Sequence, residues 1–354
     1  MKMKKFFAAV LAVVMVLAVV TGCSKGSGKA SADAQKGMEV SLAVKYTDSD
    51  NNADFTVKSF AAGKESVVSL NGSIKTGGQS LNVNGDRMLV LSDNKVYINV
   101  KSILNALSAV SSGTDISGTA LDSVKEYVKE DYVYVDLSDM KDYLNEVDPE
   151  FAKDSFKNFI DAFKDIAEVD EKDSVKTYVV TCKSNDDMLK VVEVLKKYFS
   201  DNKEAWVNLS YEQYSKVDID DVMDKVADMV VSAMGYDESM SEMLKKQILA
   251  NIDTSDYEVS KDELASSFDK VEELLDSYSS GDVDFEGEFT LKITSSDDKA
   301  YSLSLEGKGS EEDQSVSISY AVDTEATGDL SAPDKAQNVS DVISDLVKGL
   351  SSAE

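Results

Sequence analysis

Met38-Glu39-Val40-Ser41-Leu42-Ala43-Val44-Lys45-Tyr46-Thr47 alternates apolar and small or polar side chains without a break. A period of two is the mark of a strand that buries one face. The same habit continues through "DFTVKSF" (54–60), "SVVSLNGSIK" (66–75), "SLNVNG" (80–85), "RMLVL" (87–91) and "KVYINV" (95–100). Thr76-Gly77-Gly78 and Ser92-Asp93-Asn94 stand between these runs, and Asp and Asn tolerate hairpin geometry. The first part of the chain therefore reads as an antiparallel meander. A second strand group returns late, in Phe285, Phe289, Leu291 and Ile293, then Tyr301, Leu303 and Leu305, then Val316, Ile318, Tyr320 and Val322, with "SSDDK" and "SEEDQ" as turns.

Between the groups the period changes. Lys101–Leu107 turns helical, "SAVSSGTDISG" reads as a flexible loop, "LDSVKEYVKE" as a short helix and "DYVYVDL" as a strand. Asp148-Pro149 opens a helix striped by Phe151, Phe156, Phe159/Ile160 and Phe163, Asp standing as the cap and Pro in the first turn. "SVKTYVVTCK" is a strand and "SNDDMLKVVEVLKKYF" a capped helix, with Trp206, Tyr211 and Tyr214 expected in a loop beyond it. Residues 218–278 read as helical throughout, with Ser260–Glu263 as a capping box. "NVSDVISDLVKGL" closes the chain as an amphipathic helix, and Pro149 and Pro333, its only prolines, are read as helix starts.

One-sided sheets at both ends of a chain with helices between are buried most simply if the strand groups join. The expected class is α+β, a curved, half-barrel-like antiparallel sheet with helices on its concave face, in a single domain over 38–354.

Upstream of that domain the chain has a different character. Lys2, Lys4 and Lys5 precede the apolar run Phe6–Val20, which is short of the roughly 20 residues a spanning helix needs and describes an export signal. Val20-Thr21-Gly22-Cys23 then resembles a bacterial lipobox, with Val in the place where Leu is more usual. That resemblance implies cleavage between Gly22 and Cys23, which makes 1–22 a lipoprotein signal peptide. It also implies a diacylglyceryl group on the Cys23 thiol, with acyl chains such as palmitate. The protein is then expected on the extracytoplasmic face of the cell membrane, lipid-anchored. Each acyl CH₂ contributes about 0.8 kcal/mol, so two chains hold where one barely does. Residues 24–37 are rich in Ser, Gly, Ala and Lys, so 23–37 reads as the lipidated Cys and a tether reaching on the order of 20 Å.

The layout of acidic body, hairpin-rich meander, central helices, late strands and terminal helix is similar to that of the Lol-carrier and LppX-like (LolA-like) lipoprotein superfamily. No diagnostic motif accompanies it, and the 218–278 segment is larger than that family leads one to expect. The resemblance implies a space between sheet and helices that holds an acyl chain or another apolar ligand.

Composition narrows the chemistry. A net charge of −29 opposes nucleic acid and broad contact with anionic lipid. Hydrophobic residues at 42% allow a packed core. The chain has no histidine, which removes Ser-His-Asp and Cys-His catalysis and His-ligated metal sites, and Arg87 is its only arginine, which removes guanidinium clusters. With Cys23 lipidated, Cys182 has no partner for an intramolecular disulfide and reads as a small buried apolar residue. Ser267–Lys270, Ser92-Asp93-Asn94 and Lys75-Thr76-Gly77 match the three motifs of penicillin-interacting enzymes, but in the wrong chain order. Asp48, Asp50, Asn52 and Asp54 imitate the start of a calcium loop, yet Ala53 and Ser59 stand where its Gly and Glu belong, so a hairpin turn is expected. Asp218, Asp220 and Asp221 fit a helix start.

The expected function is a non-enzymatic binder or carrier of an apolar or lipid ligand, with neither cofactor nor metal. Met223, Met229, Met234, Met240 and Met243 supply adaptable apolar surface for it. The alternative is a structural or protein-interaction module that docks an envelope protein. A hydrolase using paired carboxylates is the third reading, with no pair singled out.

Overall fold

The computed structural model describes residues 35–76, 79–111, 126–139, 149–234, 238–251, 259–279, 287–296, 299–308 and 314–351. The signal segment, Gly22, Cys23 and the tether to residue 34 lie outside them. So do Gly77-Gly78, the loop from 112, and the expected 121–130 helix before 126.

Twelve strands form one sheet. They are β1 (Gln35–Thr47), β2 (Asn51–Ala62), β3 (Glu65–Thr76), β4 (Gln79–Ser92), β5 (Lys95–Asn99), β6 (Tyr132–Asp136), β7 (Glu168–Lys172), β8 (Val175–Cys182), β9 (Glu288–Ser296), β10 (Ala300–Lys308), β11 (Ser315–Gly328) and β12 (Ala336–Asn338). Their order across the sheet is β12-β6-β5-β4-β3-β2-β1-β11-β10-β9-β8-β7. The two strand groups thus meet where β1 pairs with β11, antiparallel, from Gln35↔Gly328 to Thr47↔Ser315. The sheet is not closed into a barrel, and the class is α+β. One pair departs from the antiparallel expectation. β12 reaches the far edge by a long connection and lies parallel to β6, Ala336 opposite Tyr132.

Seven helices complete the described residues: α1 (Val100–Ser111), α2 (Pro149–Phe163), α3 (Asn185–Tyr214), α4 (Ile219–Met234), α5 (Glu238–Ala250), α6 (Lys261–Ser279) and α7 (Val339–Ser351). Within 218–278 the described residues are helical over 219–234, 238–250 and 261–278, as their stripes predict. Pro149 opens α2, but Pro333 lies in the connection before β12 rather than at a helix start.

Register carries the alternation of β1 across the sheet. Leu42 faces Tyr320, which faces Leu303, then Ile293, then Tyr178. Val44 begins a parallel row through Ile318, Leu305, Leu291 and Val180. These rows share one face; α2 and α3 pack on it, and α6 lies against α3 and adds Phe268, Leu275 and Tyr278 to the same core. Phe156 of α2 stacks on Tyr301 at 5.3 Å and on Tyr320 at 5.7 Å between ring centroids. The opposite face carries Ser, Thr and paired charges such as Lys45–Asp54 at 3.0 Å.

Local chemistry sets the helix ends. Ser184 caps α3 by accepting from the Asp187 amide. Ser260 and Glu263 form the expected capping box at α6, the Ser260 hydroxyl accepting from the Glu263 N–H at 3.1 Å and the Glu263 carboxylate from the Ser260 N–H at 2.9 Å. α3 is longer than expected. Ser200-Asp201-Asn202 has the look of a stop, yet the helix runs on to Tyr214. The Asn202 amide donates to the Tyr198 carbonyl at 2.7 Å, so its polar side chain is satisfied within the helix. Trp206 is therefore a core residue, edge-on to Tyr198 and Phe199, not part of a loop. Lys203 pairs with Asp269 and with Glu272, tying α3 to α6.

Candidate functional site

The apolar face continues beyond β1, but the helices do not follow it. Val40 lies beside Ser59, Val68 and Leu89, Leu42 beside Val57, Leu70 and Gly85, and Val44 beside Phe55, Gly72 and Val83. Among the described residues α2 packs on β11 and α3 on β8, while α1 lies along β4 and α7 along β6 and β12. No helix lies comparably close to β2 or β3. The main core accordingly ends at Val40, Leu42 and Val44, which are only partly buried against it. Other buried residues lie outside the main core: Val133 follows Leu89 and Ile98 on this face, Val90 and Tyr97 lie on the opposite face, and Leu104, Ala227 and Val231 belong to α1 and α4.

Beyond Val40, Leu42 and Val44 this face is an open apolar stripe. Val57 is 36% exposed and Leu89 41%, with Phe55, Val68, Leu70, Ile74 and Val83 half-buried. Four side-chain rows make the stripe about 20 Å long, and three strand spacings make it about 14 Å wide. Two glycines lower its floor. A Cβ at Gly72 would collide with the Phe55 ring and the Asp54 carbonyl, so the ring lies over the glycine. A Cβ at Gly85 would collide with the Met88 methyl group. The surface is thus built from an aromatic ring, a thioether and branched aliphatics. Apart from the Ser59 and Tyr46 hydroxyls these rows carry no carboxylate, amine or thiol, so the stripe can hold apolar matter, at about 25 cal/mol per Å² buried.

An enclosed apolar cavity between sheet and helices is the expectation from family layout, whereas this apolar surface is open. The two clefts described in the structure lie elsewhere. One of about 590 Å³ is lined by Arg87, Tyr132, Asp329, Lys335 and neighbouring residues. One of about 180 Å³ is bordered by Glu39, Ser41, Thr294 and Asp323.

The other singled-out residues fall into structural roles. Ser92-Asp93-Asn94 closes the β4–β5 hairpin, with φ of 51° at Asp93 and 58° at Asn94. Ser267 bonds the Glu263 carbonyl of its own helix, Lys270 is exposed, and Lys75 and Thr76 end β3, with Gly77 outside the described residues. Asp218 caps α4 by accepting from the Asp221 amide at 3.0 Å. Cys182 is fully buried in the main core, and burial pushes its thiol up to about 12. Among the described residues no cluster of Cys, Asp and Glu is arranged to hold a metal ion. Of the five methionines, Met240 and Met243 are exposed on α5, which buries no residue, while Met223, Met229 and Met234 are half-buried.

The calcium-like run forms the β1–β2 turn. Asp48 accepts from the Tyr46 hydroxyl at 2.6 Å and from the amides of Asp50 and Asn51 at 2.9 and 2.8 Å. These bonds, Tyr46 first, hold its carboxyl down at about 2. An unfolded Asp titrates near about 3.9, so the turn's contribution is complete above that pH and is lost as pH falls through about 2. Carboxyl-resolved NMR titration should place the Asp48 midpoint near 2, and a midpoint near 4 would remove this account of the turn.

No described helix is long and apolar enough to cross a membrane. No protein-family model matches the sequence, and neither curated proteins nor solved structures give a significant match.

Proposed function

We propose that the chain is a bacterial envelope lipoprotein, held to the extracytoplasmic face of the cell membrane by a diacylglyceryl group on Cys23, whose body binds an apolar, acyl-chain-like ligand without catalysing a reaction. The observation that carries the ligand part is the open apolar stripe on β2–β4, with Val57 and Leu89 exposed beyond the limit of the main core. An apolar stripe of this length left in water favours an occupant that covers it. The absence of histidine and the lone arginine support a binder over an enzyme. The anchor part rests on the order of Lys2–Lys5, Phe6–Val20 and Val20-Thr21-Gly22-Cys23.

The test is lipid content. Protein purified from its host membrane and a Cys23→Ser variant lacking the anchor are both extracted with solvent and weighed intact by native mass spectrometry. The expected result is a non-covalent amphiphile on both, and a covalent diacylglyceryl mass on the wild type alone. Protein that stays empty, and takes up no fluorescent fatty acid, would remove the binder reading. An unmodified Cys23 would remove the anchor. The exposed Met240 and Met243 on α5 favour the second reading, a module that docks an envelope protein. Co-isolation of a protein that is lost on Met243→Asp, from otherwise ligand-free material, would favour it.

A further inference from the structure

The single arginine sits where β4 carries two more residues than β3. Val68 pairs with Leu89 and Leu70 with Gly85, so Asp86, Arg87 and Met88 stand opposite Ser69 alone. Arg87 has φ of 50°, a conformation that residues with a side chain rarely adopt. Its backbone is fixed on both sides. The Arg87 N–H donates to the Ser69 hydroxyl at 3.0 Å, and the Tyr132 hydroxyl donates to the Arg87 carbonyl at 3.2 Å.

The guanidinium is spent on one segment. β11 lies in the middle of the sheet and β12 at its edge, so residues 329–335 must pass β1 to β6 to join them. This strap leaves on the side opposite the apolar stripe. Gly328 packs against the ring of Phe60, whose register neighbours are Glu39 and Val67 rather than Val40 and Val68. Arg87 Nη1 donates to the Asp329 carbonyl at 3.1 Å and to its carboxylate at 3.0 Å, and Nη2 donates to the Ser331 carbonyl. Leu330 between them is 3% exposed. Arg87 thus latches the strap from one face, while the bulge it occupies sets how Val68, Leu70, Gly85 and Leu89 meet on the other.

We infer that Arg87 couples the two faces, so that filling the apolar stripe and latching the strap stabilise each other. The inference rests on the stripe being the ligand site proposed above. A ligand lying across Leu70, Gly85 and Leu89 favours the one β3–β4 register in which Arg87 reaches its three acceptors. Linkage makes the effect reciprocal, so a loosened latch weakens binding by the factor by which binding tightens the latch. Lysine keeps the charge but cannot fork to three acceptors.

The test uses the full-length protein and the fluorescent fatty acid cis-parinaric acid below its micellar concentration. Saturating probe should slow amide exchange over 329–335 at least fivefold. It should also slow phenylglyoxal modification at Arg87, the chain's only arginine, read by peptide mass spectrometry. Arg87→Lys should weaken probe binding about fivefold while leaving circular dichroism unchanged. If that variant fails to fold, the two wild-type measurements still decide. Probe that binds while strap exchange and Arg87 reactivity stay constant would overturn the coupling and leave the binder reading standing. So would an Arg87→Lys protein of unaltered affinity. Absence of any probe binding would overturn the binder reading and the coupling with it.

Discussion

Phe156→Ala should lower the free energy of unfolding by about 3–5 kcal/mol, the range for removing a fully buried aromatic ring. The ring is 0% exposed and lies stacked on Tyr301 and Tyr320, with interplanar angles of 20° and 7°. It is the point at which α2 is seated on β10 and β11, and β11 pairs with β1 at the seam of the two strand groups, with β10 beside it. Truncation leaves a cavity against two rings that are themselves fixed by the sheet register, so little collapse can fill it. Urea unfolding followed by tryptophan fluorescence measures this directly, because Trp206 is the only tryptophan and sits in the same core. A loss under about 1 kcal/mol would mean that α2 does not hold this face. The same reasoning ranks Cys182→Ala lower. The thiol is just as buried, but it is small, so its loss leaves a smaller cavity.

The sequence was most legible where a strand buries one face and bares the other. β1, β8, β10 and β11 were readable for that reason, and register then propagated a pattern such as Leu42–Tyr320–Leu303–Ile293 across the sheet. β7 was not legible. Glu168–Lys172 is exposed at every residue, so it carries no alternation, and only pairing with β8 makes it a strand. β12 is three residues long and is placed by a strap from another part of the sheet, which no local pattern encodes. The candidate site was half legible. Val57 on β2 and Val180 on β8 share the same alternating signature, yet Val57 is 36% exposed and Val180 4%. What separates them is whether a helix from a distant part of the chain reaches over them. The glycines of "NGSIK" and "NVNGD" carried the better local signal, since Gly72 and Gly85 sit inside apolar alternation where a packed strand would carry side chains.

Val57→Asp combined with Leu89→Asp should weaken acyl-chain binding at least tenfold, about 1.4 kcal/mol, and leave the fold intact. Both side chains project into the stripe from the apolar face, one on β2 and one on β4, with Val68 and Leu70 of β3 between them. Each is already more than a third exposed, so a carboxylate there stays hydrated in the empty protein and costs the fold little. A bound chain removes that water. The two carboxylates would then lie under hydrocarbon without a partner, and burying an unpaired charge is far costlier than the contact it replaces. The loss should therefore exceed what the two missing side-chain contacts explain. Val169→Asp supplies the control. Val169 is 54% exposed on β7, at an edge of the sheet, so it adds a carboxylate to the same acidic protein away from the stripe, one against the two of the double variant. Equal weakening by Val169→Asp would trace the effect to net charge and remove the stripe as the site. Unchanged affinity in the double variant would remove it more directly. Weakening confined to the Val57/Leu89 protein, with unfolding transitions alike in all three, would place the ligand on β2–β4, because that face is what the double variant alters and the control does not.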